Sequence, residues 1–404
     1  MSERSAVVSG ASIAGLSAAF WLRRQGWRVT VVERAAGFRD GGQNVDVRGV
    51  AREVLDRMGL FEAVKARHTT ETGTVVVDAR GRVTAELPSD GPDGATAELE
   101  VLRGDFARVL HDGLPEGVAF VYGDSIAEVA EGPEEVRLVT ERGRELRCGL
   151  LVVAEGVRST TRGRVFADTD VTEYDLGITM VFGTIPRTPD DDDDRWRWHN
   201  TTRGRQIHLR PDNHGTTRAL LSYTPGDDLT PLDRGEALAR VRARYADAGW
   251  EAPRVLDGFD ASEDVYVDRL TQIRMTTWHR GRTVLAGDAA WCVTPLGGGG
   301  ASLALTSGYV LAAQLSRHPG DVEAALTAYE AWMRPLVDGV QSLPRGLTRV
   351  AYPRTRTGLA LRRIAEKAFT SPPLRPLTRR LTQVSETERP LPDMPERHLP
   401  PESA

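Results

Sequence analysis

The sequence predicts an α/β protein: a parallel, helix-flanked sheet with a second, mostly antiparallel sheet inserted into it. Three observations carry this. The chain opens strand, turn, helix, strand, the pattern of a βαβ unit. LLVVAEG (Leu150 to Gly156) and RTVLAGD (Arg282 to Asp288) are apolar like strands buried on both faces. Residues 173–268 differ in character, with strand-like pieces such as LGITMVFGTI and ALLSYTP and the aromatics Trp196, Trp198, Tyr223 and Tyr266. At 404 residues the chain exceeds the size that one core usually serves.

In order, SAVVS (Ser5 to Ser9) reads as a short buried strand. Ile13, Leu16, Phe20 and Leu22 then keep a helical face, Gly26 is a C-terminal stop, and RVTVVER is the second strand. Gly73 to Leu87 reads strand-turn-strand around Ala79-Arg80-Gly81, and Leu102 to Leu114 as an amphipathic helix. VRLVTERGRELRC is a hairpin turning near Arg142-Gly143. After Asp288 comes a long helical region broken by Pro319 and Pro335, and the last ~15 residues, rich in Pro and Glu, are expected to fray. The aspartates Asp190 to Asp194 read as a solvated loop, because no partner ligands sit at metal-binding spacing. The basic helix RTGLALRRIAEKAF reads as a cap on the two domains, with contact to a membrane surface as the alternative.

The balance of 52 basic and 57 acidic residues, net −5, gives no global field toward nucleic acid or membrane. Cys148 and Cys292 could form one disulfide, but two isolated cysteines in a long chain read as free thiols of a reducing cytoplasm. No apolar run reaches the ~18 residues of a membrane span, and the first residues have no signal-peptide character. The expectation is a cytoplasmic protein, a monomer or weak homodimer, without nucleic-acid or stable membrane partners.

Two glycine segments carry the chemistry. Gly10-Ala11-Ser12-Ile13-Ala14-Gly15, between strand and helix, is a dinucleotide fingerprint with serine at its middle glycine. Gly10 makes the tight turn, Gly15 lets helix and strand pack, and the helix start with Ile13 and Ala14 offers N–H groups to a pyrophosphate. Glu33 follows 33 − 10 = 23 residues after Gly10, near the ~20 expected of an acid on a ribose hydroxyl. The second segment is GDAAWCVTPLGGGGASLAL, Gly287 to Leu305. Asp288 ends its strand, Pro295 stiffens the loop, and Gly297 to Gly300 bare the backbone at a helix N-terminus able to stabilise negative charge.

GASIAGL, RGDFARVL, AEGVRSTTR and GDAAWCVTPLGGGGASLAL occur in this order over roughly 300 residues. Together they resemble the class A flavin monooxygenases, the para-hydroxybenzoate hydroxylase-like family that includes tetracycline-inactivating enzymes. GGQNVDVRG, Gly41 to Gly49, resembles a segment that the family places near the flavin. The resemblance implies a Rossmann-like FAD-binding domain of the GR2 type, a sheet domain covering the flavin, and C-terminal helices. It divides the chain into an FAD-binding domain (1–72, 100–170 and 269–340), a substrate-binding sheet domain (73–99 and 171–268), a helical region (341–390) and a flexible tail (391–404).

Carried over by position, Gly10, Ser12 and Gly15 resemble the pyrophosphate turn, Glu33 the ribose acid, and Arg34 a neighbour of the adenine. Arg103 resembles the arginine that reaches FAD. Gly287 and Asp288 resemble the ribityl-binding pair, and Gly298, Gly299, Gly300, Ala301 and Ser302 the loop at the flavin edge. Gln43 and Arg48 fall near the ring. The family's Asp-Gly motif, tied to NADPH or NADH as transient reductant, stands here as Glu155-Gly156. The usual histidine after Gly-Asp-Ala-Ala is Trp291, and the usual glutamine and asparagine of the glycine loop are Gly299 and Ser302.

The implied activity is FAD-dependent monooxygenation with NAD(P)H and O2, through a flavin C4a-hydroperoxide. It would hydroxylate, or oxidise in the Baeyer–Villiger sense, an aromatic or polyketide-like small molecule. No catalytic base is named, since the flavin performs the hard step; the candidates for catalytic roles are Arg48, Trp291, His199 and His208. Trp291 reads as a dry wall beside the flavin or as core packing. His199 and His208 read as acid–base groups or as structural histidines. Two alternatives remain open: an FAD dehydrogenase or reductase on the same fold, and a protein holding FAD structurally for a non-redox reaction.

Overall fold

The computed structural model describes residues 4–39, 41–87, 99–191, 193–344, 346–369 and 389–395. Asp192, residues 88–98 of the expected second sheet, most of the expected helical region beyond 369, and the tail beyond 395 lie outside the described residues.

The N-terminal βαβ reading holds. Strands Ser5–Ser9 and Arg28–Glu33 pair in parallel around the helix Ile13–Arg24. They sit inside a six-stranded sheet of spatial order His279–Arg280, Thr283–Leu285, Leu150–Val153, Ser5–Ser9, Arg28–Glu33, Val118–Tyr122. Its neighbours run parallel except the first pair, which is antiparallel. Val8, Val29, Val31, Leu150 to Val153, Val284 and Leu285 are buried in its core, each contributing about 1.5–3 kcal/mol.

The helix Gly300–Arg317 crosses the first helix at backbone contact. A Cβ on Gly308 would lie 2.4 Å from the Ser17 carbonyl carbon, and Ser17 Oγ donates to the Leu305 carbonyl at 2.6 Å. The two expected cofactor turns sit at the starts of these crossing helices.

The second sheet has seven strands, in order Tyr266–Met275, Val171–Pro186, Thr216–Tyr223, Arg205–Pro211, Arg195–Thr201, Gly73–Val77, Val83–Leu87. All neighbours are antiparallel except Arg195–Thr201 beside Gly73–Val77. Strand Tyr266–Met275 pairs continuously from Phe182↔Tyr266 to Val171↔Met275, past one irregularity, so the sheet extends to residue 275 rather than 268. Strand alternation gives the sheet two faces. On the outer face Val181, Ile207, Leu209, Ala219 and Leu221 pack under the helices Arg234–Tyr245 and Ala252–Ala261. On the inner face Met180, Phe182 and Leu270 cluster with Tyr352, and Leu220 and Leu296 pack against them.

Smaller pieces follow the sequence as well. The hairpin Val136–Thr140 with Glu145–Cys148 turns at Gly143, φ +76°, inside a three-stranded sheet. Asn44–Asp46 pairs antiparallel with Glu100–Leu102, which leads into the helix Arg103–Asp112. Cys148 and Cys292 are buried free thiols.

Three expectations are corrected. Pro335 does not break the chain; it lies inside the continuous helix Val322–Gln341. Part of the predicted flexible tail is docked: Leu391 is buried in the main core, and the Pro392 and Pro395 carbonyls accept from Tyr309 Oη at 2.9 Å and Gln25 Nε2 at 3.0 Å. The aspartate run is not a solvated loop throughout. Asp191 is buried, accepting from Arg254 Nη2 at 2.5 Å and Thr217 Oγ1 at 3.1 Å, while Asp194 pairs with Arg187 at 2.5 Å. Burial pushes the Asp191 carboxyl up, but hydrogen bonds from Arg254 and Thr188 and the Arg254 charge outweigh it and hold it below the usual range.

Candidate cofactor and substrate site

The first glycine segment is built around close backbone approach. Gly10 has φ +106°, and a Cβ there would lie 2.4 Å from the Ala154 carbonyl oxygen. A Cβ on Gly15 would lie 1.9 Å from the Gly10 oxygen. Only glycine fits either position without moving the turn. Ser12 precedes the helix, but its side chain does not cap it; Ser12 Oγ accepts from Arg103 Nη2 at 2.9 Å instead. The helix start with Ile13 and Ala14 therefore carries N–H groups that no side chain caps, the arrangement that receives a phosphate. Glu33 lies beside the turn, its carboxylate accepting from Ala11 N at 2.8 Å and Ala35 N at 2.9 Å. Arg34 is exposed next to it.

The second segment meets the first. Gly287 has φ +62°, and a Cβ there would lie 2.8 Å from Ala14 Cβ. Asp288 follows at the start of a short helix and keeps a solvent-facing surface. Protein enclosing it pushes its carboxyl up, the Arg103 charge pulls it down and Asp268 adds to the rise; the net direction is up. Pro295 lies in the first turn of the helix Thr294–Gly297. Gly298 and Gly299 follow at φ +65° and +69°, and Gly299 caps the helix that begins at Gly300 and carries Ala301 and Ser302.

Ser302 ties this loop to GGQNVDVRG. Its Oγ accepts from Arg48 N at 3.0 Å and donates to the Asp46 carbonyl at 3.1 Å. Arg48 also pairs with Asp46 at 3.1 Å. Gln43 reaches the same place by backbone, its carbonyl accepting from Arg103 N at 2.9 Å. Arg103, Ser12, Gln43, Arg48, Asp288 and the glycine loop thus converge from four separate stretches of sequence.

Glu155 stands at the foot of the fingerprint turn, with its carboxylate fully engaged inside the chain. It accepts from Ser9 Oγ at 2.5 Å, Ser159 Oγ at 2.7 Å, Thr161 Oγ1 at 2.6 Å and Thr161 N at 3.0 Å. Gly156 follows at φ +82°. Arg162 donates to the Ala289 and Val157 carbonyls, both at 3.0 Å, and so fastens this segment to the Asp288 helix.

The three ring-bearing catalytic candidates separate by location. Trp291 is a core residue, 1% exposed, its ring 4.5 Å from that of Trp278 and 6.5 Å from that of Tyr329; it is not a cavity wall. His199 belongs to the outer, helix-covered face, its ring against Trp250 and its Nδ1 on the Val77 carbonyl at 3.0 Å, so it is turned away from the cofactor side. His208 lies on the inner face with Trp196 and Trp198, held between Gln206 Oε1 at 3.1 Å and Trp196 Nε1 at 3.2 Å. Burial lowers the basicity of both histidines, and for His208 the Arg210 and Arg362 charges lower it further, which keeps it a neutral imidazole near pH 7.

A family model described as FAD binding domain matches residues 3–341. The chain belongs to this family. It is a class A flavoprotein monooxygenase, an enzyme that uses FAD. Monooxygenase CTB7 of Cercospora beticola is 32% identical over 384 residues, 90% of this chain and 91% of that protein. The flavin-dependent monooxygenase eupH of a Phoma species is 32% identical over 89% of this chain and 90% of its own. Among solved structures, tetracycline destructase Tet(51) is similar at TM-score 0.78 and 25% identity, covering 97% of this chain and 99% of that one. HpxO of Klebsiella pneumoniae, solved with FAD and uric acid, shares the fold at TM-score 0.77 and 21% identity, covering 94% and 97%.

The monooxygenase's residues fit its cofactor. Two glycine turns at positive φ, an uncapped helix start, and the Arg103 charge near Asp288 match a flexible, anionic dinucleotide with hydroxyls between its ends. The sequence reading missed several neighbours. Asp268 and Tyr266 share the inner face of one strand, where Tyr266 stacks on Phe182 at 4.8 Å. Burial raises the Asp268 carboxyl and the Arg158 charge offsets part of the rise. Arg210, Glu71 and Glu100 form a buried cluster on the same face. Strand parity is the signal that finds Asp268 and Arg210, once the face of one neighbour is known.

Proposed function

We propose that this enzyme oxygenates an aromatic or polyketide-like small molecule held between the glycine loop and the inner face of the second sheet. One observation carries the reading: Leu296, within the glycine loop, packs with Met180, Phe182, Leu220, Leu270 and Tyr352 of the inner face. Cofactor loop and apolar wall are therefore one cluster. The likeness to tetracycline destructases and to fungal monooxygenases supports the substrate class.

Bound FAD supplies acceptance of hydride from NAD(P)H and activation of O2. The chain's residues do the rest. The fingerprint helix start and Arg103 hold phosphate charge, Glu33 and Asp288 offer carboxylates to ribose and ribityl hydroxyls, and the helix start at Gly300 stabilises negative charge. The apolar inner face excludes water, and Phe182 and Tyr266 offer flat surfaces to a ring. His208, neutral and held by two partners, orients polar groups rather than shuttling protons. The division into domains, with 73–87 joining 171–275 as the substrate sheet, is part of this proposal. So are a cytoplasmic location and a monomer or weak homodimer. Among the described residues no helix is long and apolar enough to cross a membrane.

The test is anaerobic addition of NADPH or NADH to the yellow holoenzyme, followed by oxygen uptake with aromatic and polyketide substrates. Bleaching, and substrate-stimulated oxygen consumption with one oxygen atom in the product, are expected. Turnover without oxygen would establish a dehydrogenase. Substrate conversion with the flavin oxidised throughout would establish the non-redox reading, which the internally engaged Glu155 keeps in view.

A further inference from the structure

The inner face holds a charge imbalance that the reaction does not require. Arg210 Nε donates to Glu71 Oε2 at 2.9 Å and its Nη2 donates to Glu100 Oε1. Both glutamate side chains are buried, at 1% and 5% exposure. Asn44 Nδ2 also donates to Glu100 Oε1, at 2.6 Å. The other two oxygens, Glu71 Oε1 and Glu100 Oε2, are buried and meet no donor. The two carboxylates are neighbours on one guanidinium and act on each other electrostatically. Ionised carboxylates only accept, so neither donor-less oxygen can be satisfied by the other carboxylate unless one of the two carries a proton.

We propose that Glu71 and Glu100 share one proton and, as a pair, position Arg210 on the substrate-side face of the second sheet. The inference rests on the reading of that face given above. With one proton the pair carries a single negative charge, matched by the Arg210 guanidinium. The proton satisfies both donor-less oxygens. Arg210 is then clamped at two nitrogens and laid over Trp196, 4.1 Å from the ring centroid.

The surroundings favour keeping the proton. Asp46 faces the pair from the strand Asn44–Asp46 and adds negative charge, itself paired with Arg48. His208, on the strand that carries Arg210, is neutral and brings no compensating cation. Arg362, over Trp198, acts on His208 from the C-terminal helix. Burial raises Glu100 most, the Arg210 charge pulls it down, and Glu71 and Asp46 raise it again, leaving it pushed up to about 7; burial and the Asp46 charge raise Glu71 against the pull of Arg210. Above neutral pH the pair becomes doubly charged against one guanidinium. Arg210 then shifts on Trp196, and in turnover KM rises while kcat holds.

The experiment is a 13C NMR pH titration of the holoenzyme labelled at glutamate side-chain carboxyls, with Glu71→Gln and Glu100→Gln to assign the signals. One proton retained by the pair to near neutrality is expected. Both carboxyls titrating in the ordinary glutamate range would overturn the proposal, as would a pair with no titration between acid and alkaline limits. Tryptophan fluorescence provides the positioning readout. The wild type should show a transition near neutral pH that Trp196→Phe removes and Glu100→Gln flattens. A transition unchanged in Glu100→Gln would also overturn it. These readouts need no substrate, so a protein that titrates as expected but consumes no NAD(P)H would sink the oxygenase reading and leave the pair intact.

Discussion

Gly308 belongs to neither glycine segment, yet its replacement by alanine should reach the cofactor. The added Cβ would sit 2.4 Å from the Ser17 carbonyl carbon and Oγ and 2.5 Å from Ala18 N, where ordinary contact begins at 3.4 Å. Most of that obstruction is backbone, so no rotamer relieves it. The helices Ile13–Arg24 and Gly300–Arg317 must part by about 1 Å, at a cost typical of overpacked cores, about 1–3 kcal/mol. The Ser17 Oγ bond to the Leu305 carbonyl stretches with them. Because the fingerprint turn and the glycine loop open these two helices, their separation changes too. FAD affinity should fall by roughly tenfold for every ~1.4 kcal/mol that binding must recover. The assay is thermal unfolding beside an FAD dissociation constant from flavin fluorescence. Gly26→Ala is the control: φ is +81° with nothing within 4 Å, so it should lower stability through backbone strain and leave FAD binding alone. Wild-type melting and affinity in Gly308→Ala would refute the close crossing. Lower melting with unchanged affinity would refute the coupling between the turns.

Other outcomes can be checked alongside. Asp288→Ala should purify with markedly less flavin, read from the ratio of flavin to protein absorbance; full occupancy would displace the site. Glu155→Ala leaves Ser9, Ser159 and Thr161 without their shared acceptor and should cost about 2–3 kcal/mol in urea unfolding. Asp191→Ala strands Arg254 and Arg197 and should cost about 2–3 kcal/mol, below the ~3–5 of a fully buried pair because both arginines keep some solvent. The Asp191 carboxyl is held below its unfolded pKa. Its stabilisation is therefore present above the ordinary carboxylate range and lost as pH falls through the folded value. Asp191→Asn should flatten that acid limb of the stability curve.

What was legible in the sequence was what lies close together in the chain. Gly10, Gly15 and Glu33 belong to one βαβ unit, and Asp288 to Ser302 to one strand-loop-helix, so local pattern located them. The histidines show where that reach stops. His199 and His208 sit on adjacent strands paired His199↔Ile207 and Trp198↔His208, so they face opposite ways. Nothing local to either announces this, because one residue of register decides it. The Arg210 cluster needs contacts across 139 and 110 positions. The aspartate run misled partly for the same reason: Arg254, which holds Asp191 most closely, comes from a helix some 60 residues on, although Arg187, Arg195 and Arg197 are near in the chain. Trp291 stands where the resemblance places a flavin neighbour, but a ring of that size is accommodated by turning it into the core beside Trp278.

The docked segment at residues 389–395 bears on how the protein is made. Its carbonyls and Leu391 close over Gln25 and Tyr309, on the first helix and the glycine-loop helix. The first strand likewise waits for Leu150–Val153, and that strand for Thr283–Leu285. A ribosome therefore releases the fingerprint helix long before the residues that cover its C-terminal end. The FAD-binding unit is complete only once Thr283–Leu285 and residues 389–395 have been made, and until then its first helix lacks the cover over its C-terminal end.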